Sequence, residues 1–262
     1  MEWNEGFTVG EEGGLAVATA TALPPCPFCS GDGRRLLDVS GVSRLYRCRC
    51  QKLPDRIVVF NEAMLPARHA TCTMESFRVE LARPTWGAVR KWIDTFRPGP
   101  DQLGLVISGE PGRGKTHLLA AAVRELVFRH GTPTRFVEFS HLIANIREGY
   151  DRKVGEAGLL GPLVRVPALA IDELGKGRGS DFETTILDEI ISRRYNSAPG
   201  PLLATTNFPL KARPRKEGDS LSTGAIPCLA ERLGDRVWSR LKESVLFIEA
   251  VGDDFRITKG RK

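Results

Sequence analysis

Residues 109–116 read Gly109-Glu110-Pro111-Gly112-Arg113-Gly114-Lys115-Thr116 and fit the pattern G-x-x-x-x-G-K-[ST] in full. The apolar run Leu103–Ser108 precedes them, and a helical period from Lys115 to His130, closed by Gly131, follows. A strand running into a glycine bend and then a helix is the setting this pattern needs to hold phosphate. Glycines let the backbone curl until several N–H groups face one point, where the helix N-terminus adds positive potential. In such a bend Lys115 reaches the β- and γ-phosphates of a nucleoside triphosphate, and the Thr116 hydroxyl ligates Mg2+. The candidate cradle is Gly109, Pro111, Gly112, Arg113, Gly114, Lys115 and Thr116, with His117 in the first helical turn.

Downstream of the bend, strands alternate with helices. The pattern predicts strands at Thr134–Phe139, within Leu163–Ile171 despite Pro167, at Pro201–Thr205 and at Val245–Glu249. Between them it predicts helices at about Ser140–Gly149, Phe182–Tyr195 and Ala230–Lys242. Such alternation implies an α/β fold with a parallel five-stranded sheet covered on both faces. Upstream, Asp55–Met64 reads as a helix stopped by Pro66, and Trp86 to about Phe96 as another, broken by Pro98-Gly99-Pro100.

Two further strand ends carry chemistry. Ala168-Leu169-Ala170-Ile171 runs into Asp172 and Glu173, placing the acids at the carboxyl edge where ligands bind in open α/β sheets. Asp172 would hold Mg2+ and Glu173 would polarise an attacking water, a pairing that favours hydrolysis over storage. Leu202-Leu203-Ala204-Thr205-Thr206 ends at Asn207, which either orients that water or serves as a turn former before Phe208-Pro209. Arg232, Arg236 and Arg240 recur every fourth residue along one predicted helix face. They read either as a solvated row paired with Glu231, Asp235 and Glu243, or as a source of an arginine that enters a neighbouring subunit's nucleotide.

The six cysteines include Cys26-x2-Cys29 and Cys48-x-Cys50, bracketing an Arg- and Gly-rich stretch whose Arg34–Val39 and Ser43–Arg47 alternate as a hairpin. Two such pairs can converge as four thiolates around Zn2+, which would then supply most of the folding energy of so small a unit. His69 and Cys72 read as structural, because four ligands complete a tetrahedral site. Nucleic-acid candidates are Arg34, Arg35, Arg44, Arg47 and Arg49 with Phe28 and Tyr46 as stacking groups. Lys176 and Arg178 form a second group, and Lys211, Arg213, Arg215 and Lys216, with Lys259, Arg261 and Lys262, form a third.

The remainder of the 262-residue chain sets the frame. Its composition, 41% apolar and 27% charged, excludes a mainly disordered or fibrous protein. No apolar run reaches the ~18 residues of a membrane span, so no membrane partner is expected. The acidic N-terminus fits neither a secretory signal nor an import sequence, which points to a cytoplasmic protein. Net charge of +6 leans toward an anionic partner.

Taken together, G-E-P-G-R-G-K-T-H-L, L-A-I-D-E-L-G, A-T-T-N, E-R-L-G-D-R-V-W-S-R-L and the stretch F-N-E-A-M-L-P-A-R-H-A-T-C-T-M-E-S-F resemble the DnaC/IstB-type AAA+ ATPases, replicative-helicase loaders and transposition helpers, over roughly residues 50–258. The cysteine block resembles the zinc-binding N-terminal module of loader-like members. The resemblance implies ATP, Mg2+ and Zn2+ as cofactors, Lys115, Thr116, Asp172 and Glu173 as Walker residues, Asn207 as a sensor and Arg240, with Arg236 one turn before it, as an arginine finger acting in trans. It implies a homo-oligomer on single-stranded DNA whose partner is a replicative helicase, the zinc module favouring a loader over a transposase-linked helper. A nucleotide-switched DNA-binding adaptor that does not hydrolyse is the remaining alternative, against which Glu173 speaks. The organisation expected is a flexible tail at 1–25, a zinc-binding module at 26–52, a helical connector at 53–101 and an ATPase core at 102–262. The lid of larger AAA+ proteins is expected to be reduced or absent, since few residues follow Glu249.

Overall fold

The computed structural model describes residues 6–21, 26, 28–30, 32–39, 41–211 and 227–255. Its centre is a parallel sheet of β5 (Gly104–Ser108), β6 (Thr134–Glu138), β7 (Ala168–Asp172), β8 (Leu202–Thr206) and β9 (Val245–Glu249) in the order β6-β7-β8-β5-β9. Every residue of β5, β7 and β8 is buried, as parallel strands covered on both faces require. The period of two sorts their side chains into two cores. Leu105, Ile107, Ala168, Ala170 and Leu203 face one cluster, and Val106, Leu169, Ile171, Leu202 and Ala204 face the other.

The first cluster is closed by α1 (Lys52–Glu62), α2 (Val79–Thr95) and α3 (Lys115–His130). The second is closed by α4 (Phe139–Asp151), α5 (Glu156–Arg165), α6 (Asp181–Ser197), α7 (Leu229–Leu233) and α8 (Asp235–Ser244). Helix α3 ends at Gly131 (φ +66°), with Gly131 N–H donating to Val127 O and Thr132 N–H to Leu126 O, the double closure that a left-handed glycine permits. The connector is no separate body: Phe60, Met74, Phe77, Trp92 and Phe96 lie in the same cluster as Leu118 and Leu126.

Four sequence expectations change. Much of 1–25 is ordered: β1 (Phe7–Glu12) and β2 (Leu15–Ala20) pair across Gly13-Gly14, both at positive φ, the turn that suits hairpin twist. Phe7 stacks on Phe128 at 3.9 Å. Asn61 pairs with both backbone groups of Ala18, at 2.7 and 3.1 Å, and covers the strand edge. Next, the third core strand begins only at Ala168, and Leu163–Arg165 finish α5 instead; Pro167 has no N–H for a ladder. The stretch Ala230–Lys242 is broken at Gly234 (φ +81°, ψ 156°) into α7 and α8, so Arg232 leaves the row of Arg236 and Arg240. Finally, α2 already starts at Val79, kinked at Ala82 ahead of Pro84. The hairpin of β3 (Arg34–Val39) and β4 (Val42–Arg47) forms as read.

Candidate nucleotide and metal sites

The glycine bend sits at the carboxyl edge of β5 and opens α3 at Gly114 (φ +72°). Gly112 (φ +83°) and Gly114 need their freedom twice over. A Cβ on Gly112 would lie 2.2 Å from the Asp254 carboxylate, and one on Gly114 would lie 2.7 Å from the Phe77 ring. Lys115 is buried, its ammonium donating to Gly109 O and Glu110 O at 2.7 Å each. The Thr116 hydroxyl donates to Asp172 Oδ1 at 2.9 Å, and Thr205 donates to the same oxygen at 2.5 Å. Asp172 is 2% exposed. Burial raises its pKa, and the two hydroxyl donors oppose that rise. A carboxylate so placed, with a hydroxyl beside it, is a hard-oxygen donor pair suited to Mg2+.

Glu173 follows in the left-handed region (φ +56°), its N–H donating to Thr205 Oγ1 at 2.9 Å and its carboxylate paired with Lys176. A non-glycine residue at positive φ next to a binding edge marks backbone held by its surroundings. Asn207 is exposed just beyond β8, whose Thr206 O accepts from Gly109 N–H at 3.2 Å. The structure thus brings Lys115, Thr116, Asp172, Glu173 and Asn207 to the ends of three adjacent strands.

Other residues fall elsewhere. The His117 ring faces Thr73 O (2.8 Å) and the Ser76 hydroxyl (3.3 Å), and burial lowers its pKa; it ties the connector to α3. Arg113 pairs with Glu110 at 2.7 Å on the rim. Arg232 donates to Gly175 O at 2.6 Å and pairs with Glu183, bracing the loop after β7. Arg236 and Arg240 both pair with Asp188 of α6, at 3.4 and 3.3 Å, with side chains 75% and 20% exposed. Of the third nucleic-acid group only Lys211 lies within the described residues.

Sequence reasoning passed over Thr205, the hydroxyl between Asp172 and Glu173, and Asp188, the common partner of the arginines. The first was legible as polar residues ending an apolar strand. The second is set by helix packing and left no local signal.

Outside both core clusters, Cys26, Cys29, Cys48 and Cys50 bring their sulfurs within 4.8 Å of one another, with Cys26–Cys48 at 3.8 Å and Cys29–Cys50 at 3.5 Å. Tetrahedral Zn–S bonds of ~2.3 Å put sulfurs about 3.8 Å apart, so the donor set fits zinc. The backbone amide of Phe28 lowers the Cys26 thiol to about 7, whereas burial raises Cys50.

A parallel β6-β7-β8-β5-β9 sheet, a phosphate loop after its β5 and an acid pair at the end of β7 define the AAA+ type of P-loop ATPase fold. The family model for IstB-like ATP binding protein matches residues 93–235, and the chain belongs to that family. It is 29% identical over 153 residues to the replicative helicase loader DnaC of Escherichia coli K12, an alignment covering 57% of this chain. The match spans 61% of that relative's length. A crystal structure of the DnaC helicase loader superposes with TM-score 0.58 at 25% identity, over 70% of this chain and 99% of that one. A crystal structure of DnaI shares the fold, with TM-score 0.54 at 19% identity over 73% and 94% of the two chains. Among the described residues no helix is long and apolar enough to cross a membrane.

Proposed function

We propose that this chain is a DnaC-like loader that binds ATP and Mg2+ at residues 109–116 and Asp172, hydrolyses ATP as a homo-oligomer on single-stranded DNA, and places a replicative helicase there. The observation that carries the nucleotide part of the reading is the junction of Thr116, Asp172 and Thr205 under the glycine bend, and the likeness to the DnaC loader supports the rest. Mg2+ when bound supplies positive charge to the phosphate oxygens. Lys115 turns its ammonium from the loop carbonyls toward phosphate. Asp172 and Thr116 hold the cation. Glu173, released by Lys176, accepts hydrogen bonds from the attacking water, and Asn207 fixes its direction. Arg240, with Arg236 beside it, enters from a neighbouring subunit. Zinc on the four cysteines stabilises 26–52 as a module of its own.

The test is phosphate release with and without single-stranded DNA. DNA raises turnover of the wild type. Lys115→Ala lowers it by about 10²–10³-fold, and Arg240→Ala by about 10³-fold or more. Mixing the two variants restores part of the rate, because each lacks a different half of one interface. Unchanged rates in both variants refute the assignment. ATP binding without any phosphate release would favour the nucleotide-switched adaptor. Affinity purification with ATP that recovers a transposase and no helicase would turn the reading to a transposition helper.

A further inference from the structure

We propose that one face of the β3–β4 hairpin, carrying Arg35, Arg44 and Tyr46, is a stacking surface for single-stranded nucleic acid. This rests on the reading that the protein works on single strands and locates one place where a strand is gripped.

The hairpin contributes to neither core cluster, so its exposed side chains are not packing groups of the fold. Its register pairs Arg35 with Tyr46 and Leu37 with Arg44. Alternate residues of a strand share a face, as do residues directly opposite. Arg35, Leu37, Val42, Arg44 and Tyr46 therefore lie together. The Arg35 guanidinium stands 5.1 Å above the Phe28 ring and extends the row to a second aromatic. Tyr46 and Phe28 are 39% and 43% exposed. Among the described residues of these strands, this face carries no carboxylate. Asp38, the acid of these strands, belongs to the opposite face and accepts from Gly41 N–H at 2.8 Å in its own turn.

Partly exposed aromatic rings interleaved with guanidinium groups match unpaired bases joined by phosphates: rings stack, and arginines meet the backbone charge. Duplex DNA shares the phosphates and hides the base faces, so stacking selects the single strand. A protein partner would be better served by the other face, where Leu36 and Leu45 stand opposite one another without an aromatic ring and are more exposed than Leu37 and Val42.

The experiment is fluorescence anisotropy of a labelled oligo(dT) and of a matched duplex, using the full zinc-loaded chain without nucleotide, across a salt series. Expected for Tyr46→Ala is a loss of oligo(dT) affinity of about fivefold to a hundredfold, with duplex affinity unchanged. Tyr46→Phe keeps wild-type binding. Arg44→Ala lowers the salt slope by about 0.7, and Leu36→Ser with Leu45→Ser changes neither. Zinc content equal to wild type in every variant verifies that the module is folded. Wild-type oligo(dT) affinity in both Tyr46→Ala and Arg44→Ala overturns the proposal and leaves single-strand action by the rest of the chain standing. A loss confined to the leucine pair overturns it in favour of protein docking. No binding of oligo(dT) by the wild type overturns it and removes single strands from the proposed function as well.

Discussion

Two clusters of polar side chains in this chain are organised by opposite means. Thr116, Asp172 and Thr205 converge where buried strands β7 and β8 end beside α3, and apolar cover on both sheet faces positions them. The four thiols converge at the base of a hairpin that enters neither core. Burial preorganises the first set and also raises the pKa of Asp172. In the second, no apolar cover does the organising, and on the proposed reading zinc would, since a two-stranded hairpin alone is marginal in water. Hydrophobic burial in one region and ligation in the other predict separable failure.

The largest effect tests that separation. Structural zinc in finger peptides contributes about 10–16 kcal/mol at neutral pH. Removing zinc with a chelator, or making Cys48→Ser, is expected to abolish hydrogen-exchange protection across 32–47 and leave protection in β5, β7 and β8 intact. Simultaneous loss in both regions would show that the hairpin and the core share one folding unit.

The next effect lies on the burial side and concerns the N-terminal hairpin. Phe7 stacks on Phe128, and Phe60 approaches that same ring at 5.0 Å. Phe7→Ala is therefore expected to cost about 3 kcal/mol, the scale of large-to-small core changes, read as a lowered denaturation midpoint at unchanged slope. Phe28→Ala, beside Cys29 and outside both core clusters, is expected to leave the unfolding free energy of the core within about 0.5 kcal/mol of wild type.

What was legible divides along the same line. The phosphate loop, the acid pair and the four cysteines each announce themselves within a few residues, because backbone curvature and ligand spacing are local demands. Four of the core strands appeared as short apolar runs for the same reason. The N-terminal hairpin was missed because Ala16 and Ala18 carry little apolar signal; their burial depends on Asn61 and Leu65 from elsewhere in the chain. Gly234 carries a breaker signal of its own, and the four-residue arginine spacing runs straight across it. The Asp188 pairing depends on the docking of α8 on α6, which no local pattern encodes.

Glu125 offers a smaller, pH-dependent effect within the burial-organised region. Its carboxylate lies inside α3 with Oε2 lacking a hydrogen-bond partner, and Arg129 is 3.9 Å away. Burial raises its pKa to about 7 from an ordinary 4.5. The folded state then holds a proton that the unfolded chain releases, so this group's contribution to stability falls as pH rises from about 4.5 to 7. Above that window the ionised carboxylate is a penalty, moderated by Arg129. Glu125→Gln is expected to gain about 1–2 kcal/mol over wild type at pH 8, and the gain should vanish near pH 4. A gain that persists in acid would place its origin in packing.

The smallest effect concerns Asp188, which ties Arg236 and Arg240 to α6 within one subunit. Arg240 also lies 6.0 Å from the Tyr195 ring, whereas Arg236 is largely in solvent. An arginine that acts on a neighbour's nucleotide must first leave these partners. A partly exposed ion pair is worth at most about 1 kcal/mol, so freeing Arg240 can gain no more than about fivefold in rate. Asp188→Asn keeps the side chain's size and its hydrogen-bonding capacity toward Ser192, 2.8 Å away, while removing the charge. Turnover on single-stranded DNA is expected to rise about two- to fivefold, and the same change in an Arg240→Ala background should do nothing. If turnover falls instead, Asp188 aims the arginine and does not restrain it. If both backgrounds respond alike, the effect passes through the α6–α8 packing, and the pairing has no part in the reaction.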